Sequence, residues 1–174
     1  SNTGAAKDKT VWVNALVDLY QKGFTYDGLD FDLEGSFAPP ITLADCASIA
    51  NTVATKIGPG KKLKIQFTVQ GKQDNVKPLG DAFNDLDQTK YPQISDYKLA
   101  IMLYGQSMYE PTPPPGWGLD CSTTPSTATT TGATIDTINK WRAKVKNPAD
   151  IILGMTSNIN SPGNYDECYI KTFE

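Results

Sequence analysis

Four carboxylates fall between Asp27 and Glu34, inside the stretch Tyr26 to Gly35, which reads YDGLDFDLEG. Asp30, Asp32 and Glu34 alternate there with Leu29, Phe31 and Leu33. Strict apolar–polar alternation marks a strand, whose side chains point alternately to opposite faces. The three acids therefore share one face and the three apolar residues share the other. Gly28 falls on the acidic face and leaves space there, while Asp27 has the opposite parity and stands at the strand's entrance. A row of acids on a buried face needs partners, a shared proton or a bound substrate. The competing reading is a solvated edge strand with an acidic outer face. Against it, the polar side holds no Lys, Thr or Ser, and the strand runs into a loop containing Pro39 and Pro40. The flanking segments also read as helices, which implies a parallel sheet covered on both faces.

The remaining composition narrows the chemistry. The chain has 174 residues and no histidine, so a Ser-His-Asp triad, a Cys-His pair and a histidine-bound metal are excluded. Acid–base work must rest on carboxylates, Tyr, Lys or Cys. No metal and no cofactor is expected. With 39% hydrophobic and 20% charged residues the sequence suits one globular domain over 1–174. The net charge of −3, without a basic run, points away from nucleic acid. No apolar run is long enough for a membrane span. Of three cysteines, Cys46 has helical spacing with Leu43, Ala50 and Val53 and reads as core. Cys121 and Cys168 fall in loop-like stretches, and whether they pair is left open.

The elements that must position the acids follow from periodicity. Ser1 to Lys9 is polar and reads as loop. Thr10 to Lys22 predicts a helix with Trp12, Leu16 and Leu19 on its stripe, stopped by Gly23. After the acidic strand, Thr42 and Asp45 have the spacing of a capping box. They open a helix with Leu43, Cys46, Ala47, Ala50, Val53, Ala54 and Ile57 on one side, ended by Gly58-Pro59-Gly60. Leu63 to Val69 predicts a second strand, with Lys64, Gln66, Thr68 and Gln70 on its polar side. A short helix is expected over Leu79–Leu86 and a nearly all-apolar strand over Lys98–Tyr104. Residues 105–131 form a long Pro/Thr-rich loop. Thr134–Val145 reads as a helix with Ile135, Ile138, Trp141 and Val145 on one stripe, and Ile151–Met155 as a fourth strand. Residues 158–174 read as loop. Strands alternating with helices give an α/β class with a parallel sheet, and no G-x-G-x-x-G follows a strand to favour a Rossmann arrangement.

Asp27, Gly28, Asp30, Asp32 and Glu34 fit DGxDxDxE at all five fixed positions. In this the chain resembles glycoside hydrolase family 18, which contains chitinases, endo-β-N-acetylglucosaminidases and inactive chitinase-like lectins. The family's motif lies on strand four of a (β/α)8 barrel, with the glutamate at the C-terminal mouth, where barrel active sites lie. Met102-Leu103-Tyr104 is similar to the family's Met-x-Tyr on strand six, although Gly105 stands where an Asp or Asn usually follows. The resemblance covers roughly residues 10–157 and implies parallel (β/α) units of the TIM-barrel type, corresponding to strands four to seven. A complete barrel takes about 250 residues. Candidates for strands one to three are missing, as is the family's strand-eight Trp. The expectation is therefore an incomplete barrel that associates with a missing half or with itself.

By position, the resemblance makes Glu34 the general acid/base and Asp32 the group that meets the substrate acetamide N–H. It makes Asp30 a deeper acid sharing a proton with Asp32, Tyr104 a donor to the acetamide carbonyl, and Met102 a substrate-binding residue. Like charges this close disfavour full ionisation, which keeps Glu34 protonated for its task. The implied reaction is substrate-assisted, retaining cleavage of β-1,4-linked N-acetylglucosamine in chitin or an N-glycan core, and the implied location is extracellular. Phe37, Tyr109 and Trp117 sit in loops where sugar stacking and local packing are equally open. Two alternatives stand beside the enzyme: a non-catalytic chitin-binding protein, and an inactive fragment of such an enzyme. Retention of Glu34 favours catalysis over a lectin.

Overall fold

The computed structural model describes residues 8–33, 41–71, 73–102 and 138–154. They fall into two compact units. One holds the residues up to Val69 together with Asp81–Ala100, and the other holds Gln70–Gly80 and the residues from Ile101 onward. In chain order the elements are α1 (Lys9–Gln21), β1 (Gly28–Leu33), α2 (Leu43–Ile57), β2 (Leu63–Gln70), α3 (Gln73–Asn84) and β3 (Ile94–Met102). A helical stretch over 138–144, a 3-10 turn Pro148–Asp150 and β4 (Ile151–Gly154) follow. The four strands form one parallel sheet in the order β1-β2-β3-β4, so neighbours in space are neighbours in sequence. The expected α/β class holds.

The first unit is built on α2 and the apolar side of β1 and β2. The Thr42 side chain accepts from the Asp45 N–H at 3.1 Å, and the Asp45 carboxylate accepts from the Thr42 N–H at 3.1 Å. This is the anticipated capping box, and it satisfies two donors that a helix start leaves open. Lys9 adds an ion pair to Asp45. Beyond the cap, Cys46, Ala47, Ala50, Val53 and Ala54 are fully buried. On β2, Leu63, Ile65, Phe67 and Val69 are equally buried. Phe67 stacks on Phe31 at 6.3 Å and meets Phe83 edge-on at 6.2 Å. Burying each such side chain stabilises by about 1.5–3 kcal/mol.

Helix α1 forms where expected but turns a different face inward. Its N-cap is Asp8, whose carboxylate accepts from the Thr10 N–H at 2.9 Å. Its end is Gly23, at φ +98°, with the Gly23 and Phe24 amides donating to the Tyr20 and Leu19 carbonyls. Trp12 and Leu19, expected on the core stripe, are 44% and 41% exposed. The inward side carries Val13, Leu16, Val17 and Tyr20 instead. Both sets have helical spacing, and Leu16 belongs to both. Periodicity establishes that a stripe exists but does not choose between two overlapping ones. The Tyr26 hydroxyl donates to the Leu16 carbonyl at 2.8 Å, holding the chain beneath this face just before β1.

Two other elements begin earlier than the sequence reading placed them. α3 starts at Gln73 rather than Leu79 and carries Pro78 inside it. Proline forfeits one backbone bond there, yet buried Val76 anchors the turn preceding it. β3 starts at Ile94 rather than Lys98. Its beginning is tied to β2, because the Leu63 N–H donates to the Gln93 carbonyl at 3.0 Å and the Ser95 hydroxyl donates to the Leu63 carbonyl at 3.3 Å. In the second unit Ile138, Trp141 and Val145 are buried, as their spacing predicts. Ile135, Cys121, Cys168, Met155 and the 105–131 stretch lie outside the described residues. Among the described residues, no helix is long and apolar enough to cross a membrane.

Candidate active site

The acidic strand is β1, and its alternation survives in the fold. Asp30 and Asp32 are exposed, whereas Phe31 between them is buried. Parallel pairing sets Asp30 opposite Gln66 and Asp32 opposite Thr68, with Phe31 opposite Phe67 on the reverse side. The apolar side chains of both strands thus pack together, and the polar ones form a second, open face. Asp96 and Lys98 of β3 join the lower part of that face. With Asp30, Lys64 and Gln66 they line a shallow cavity of about 320 Å³ that mixes both signs of charge. Lys98 stands 3.6 Å from Asp96.

Asp30 is held by the neighbouring strand. The Thr68 hydroxyl donates to Asp30 Oδ1 at 2.8 Å, and Gln66 Nε2 donates to the Thr68 hydroxyl at 3.4 Å. Sequence parity placed Gln66 and Thr68 on the polar side of their strand. It carried no information about register, so their partnership with Asp30 was invisible there.

Gly28 departs from its sequence reading. A Cβ at this position would meet the Lys64 carbonyl oxygen at 2.9 Å. The glycine therefore admits the backbone of β2 rather than leaving an empty space on the acidic face.

Asp27 behaves as its parity implied. Its carboxylate accepts from Lys61 Nζ at 2.9 Å, and this hydrogen bond, reinforced by the charge of Lys61, holds it below the usual carboxylate range. The Asp27 carbonyl also accepts from the Lys64 N–H at 2.9 Å. Lys61 is correspondingly pushed up by Asp27 and lies 5.6 Å from the Tyr20 ring centre. Asp27 thus fastens the start of β1 to the chain entering β2, a structural duty.

The other expected site residues distribute as follows. Met102 ends β3 in the second unit and is buried. Glu34 and Tyr104 lie outside the described residues, as do Phe37, Tyr109 and Trp117. The structure accordingly brings Asp30 and Asp32 together on one face and adds Thr68 and Gln66 to them. Among the described residues, no cluster of three or more His, Cys, Asp or Glu has the arrangement to hold a metal ion. Comparison with family models, with curated proteins and with solved structures gave no match.

Proposed function

We propose that this chain carries strands four to seven of a (β/α)8 barrel and that its acidic strand serves a secreted family 18 glycoside hydrolase acting on β-1,4-linked N-acetylglucosamine. The observation that carries this reading is the placement of Asp30 and Asp32 on the open polar face of β1, backed by a wholly apolar reverse side. Strand order supports it. Doubly wound sheets reverse their strand order at a switch point, whereas a barrel segment keeps spatial and sequence order the same, as β1-β2-β3-β4 does. The polar content of the open face fits a substrate-lined barrel interior better than a sheet sandwiched between helices.

In the proposed reaction the acetamide carbonyl oxygen of the sugar attacks its anomeric carbon. The glycosidic bond breaks, and the leaving oxygen takes its proton from Glu34. Asp32 accepts a hydrogen bond from the acetamide N–H and stabilises the positive charge of the oxazolinium ring. Water then attacks the same carbon and gives its proton to the Glu34 carboxylate. The ring opens with retention of configuration, the substrate-assisted route. Tyr104 donates to the acetamide carbonyl, and Met102 contributes to the sugar site.

A barrel segment of four strands has two sheet edges, and open edges favour association. The reading therefore includes pairing with the remaining βα units or with a second copy. By itself the chain should turn substrate over slowly or not at all. The test is a fluorogenic chitobioside assay with and without a polypeptide supplying the other βα units, alongside light scattering at several concentrations. Turnover in the complemented sample, lost in Glu34→Gln with sugar binding kept, is the expected result. Near-normal hydrolysis by that variant would remove Glu34 from the mechanism. Binding without turnover would favour the non-catalytic chitin-binding reading. Neither binding nor turnover, with complementation achieved, would overturn the assignment.

A further inference from the structure

We infer that Thr68 is a positioning residue for the acid row: with Gln66 behind it, it fixes the Asp30 carboxylate through a hydrogen bond to Oδ1. The inference rests on the glycosidase reading for its catalytic consequence but not for its geometry. An exposed aspartate is free to exchange between staggered side-chain rotamers. Asp30 is exposed, yet Oδ1 receives the Thr68 hydroxyl at 2.8 Å. Threonine is suited to this because its β-branched side chain is stiff, and here it stands on β2, paired in register with β1.

Donor inventory gives the chain of bonds its direction. An amide nitrogen only donates, an ionised carboxylate only accepts, and a hydroxyl has one proton to give. Gln66 Nε2 donates to Thr68 at 3.4 Å, so the hydroxyl proton is left for Asp30. The run Gln66 to Thr68 to Asp30 thus ends on Oδ1. Asp32 stands two residues further along the same face, and in the proposed reaction it meets the acetamide.

The test compares Thr68→Val, which keeps the branched shape and removes the hydroxyl, with Thr68→Ser, which keeps the hydroxyl. In the complemented chitobioside assay, Thr68→Val should lower kcat about tenfold while KM changes less than about twofold, since the acids that act on the transition state lose their positioning while substrate binding does not depend on the hydroxyl. Thr68→Ser should recover kcat. The second readout needs no turnover: three-bond couplings to the Asp30 carboxyl carbon, measured by NMR on the labelled chain. They should report one Asp30 rotamer in the parent and in Thr68→Ser, and averaging in Thr68→Val. Unchanged couplings in Thr68→Val overturn the inference whatever the assay gives. A kcat loss that Thr68→Ser fails to recover overturns it too, because that pattern belongs to a packing defect. If the parent shows no hydrolysis while the couplings behave as expected, the glycosidase reading fails and the positioning of Asp30 stands.

Discussion

Gly28 and Lys64 are paired across β1 and β2 at a separation that no side chain fits: a Cβ on Gly28 would lie 2.9 Å from the Lys64 carbonyl oxygen. The obstacle is backbone, so no side-chain rotation relieves it. This close approach sits one step along the polar face from Asp30 and two steps from Asp32. It fixes how β2 presents Gln66 and Thr68 to them.

Gly28→Ala should therefore push the two strands apart where the acid row begins. Overpacking of this kind costs about 1–3 kcal/mol. Urea unfolding followed by circular dichroism should show a lower midpoint with an unchanged slope. An unaltered midpoint would mean that the strands part without cost.

Acid should weaken the start of α2. The Lys9 hydrogen bond, assisted by the Thr42 amide and hydroxyl, lowers Asp45 from its ordinary value of 3.8. A carboxyl depressed in the folded state contributes stability that is fully present above its unfolded value and lost as the pH falls through the folded one. The loss belongs to the window below 3.8. Thermal unfolding across that range should fall less steeply in Asp45→Asn than in the parent. At neutral pH, Thr42→Ala should cost about 1 kcal/mol through the lost cap. Parallel acid profiles for parent and Asp45→Asn would show that the ion pair contributes nothing.

Cys46 should be inert in the folded chain. It is completely buried in α2, and burial pushes its thiol up to about 12, so the reactive thiolate is scarce at neutral pH. Iodoacetamide treatment at pH about 8, followed by peptide mass mapping, should leave Cys46 unlabelled until denaturant is added. Rapid native labelling would place it at an opening segment instead.

Some local features were legible because their causes are local. The Thr42–Asp45 cap and the α2 stripe depend on residues three and four apart. The alternation of Asp30, Phe31 and Asp32 depends on residues two apart. Buried Trp141 between Ile138 and Val145 was readable for the same reason. The α1 stripe was misplaced because Trp12 and Val13 begin overlapping apolar stripes, and packing chose the one that starts at Val13. The helix expected over Leu79–Leu86 begins at Gln73 in the structure, because it continues through Pro78 with Val76 buried ahead of it.

The sequence by itself determined that Asp30 and Asp32 share a face, because parity along one strand needs no partner. It also determined that Asp27 stands apart from them. The tertiary structure alone decided what that face meets. Register between β1 and β2 arises from pairing across more than thirty residues of chain. It sets Gln66 and Thr68 against the acids, gives Asp30 a hydroxyl donor, and turns Gly28 from an apparent gap into a point of backbone contact.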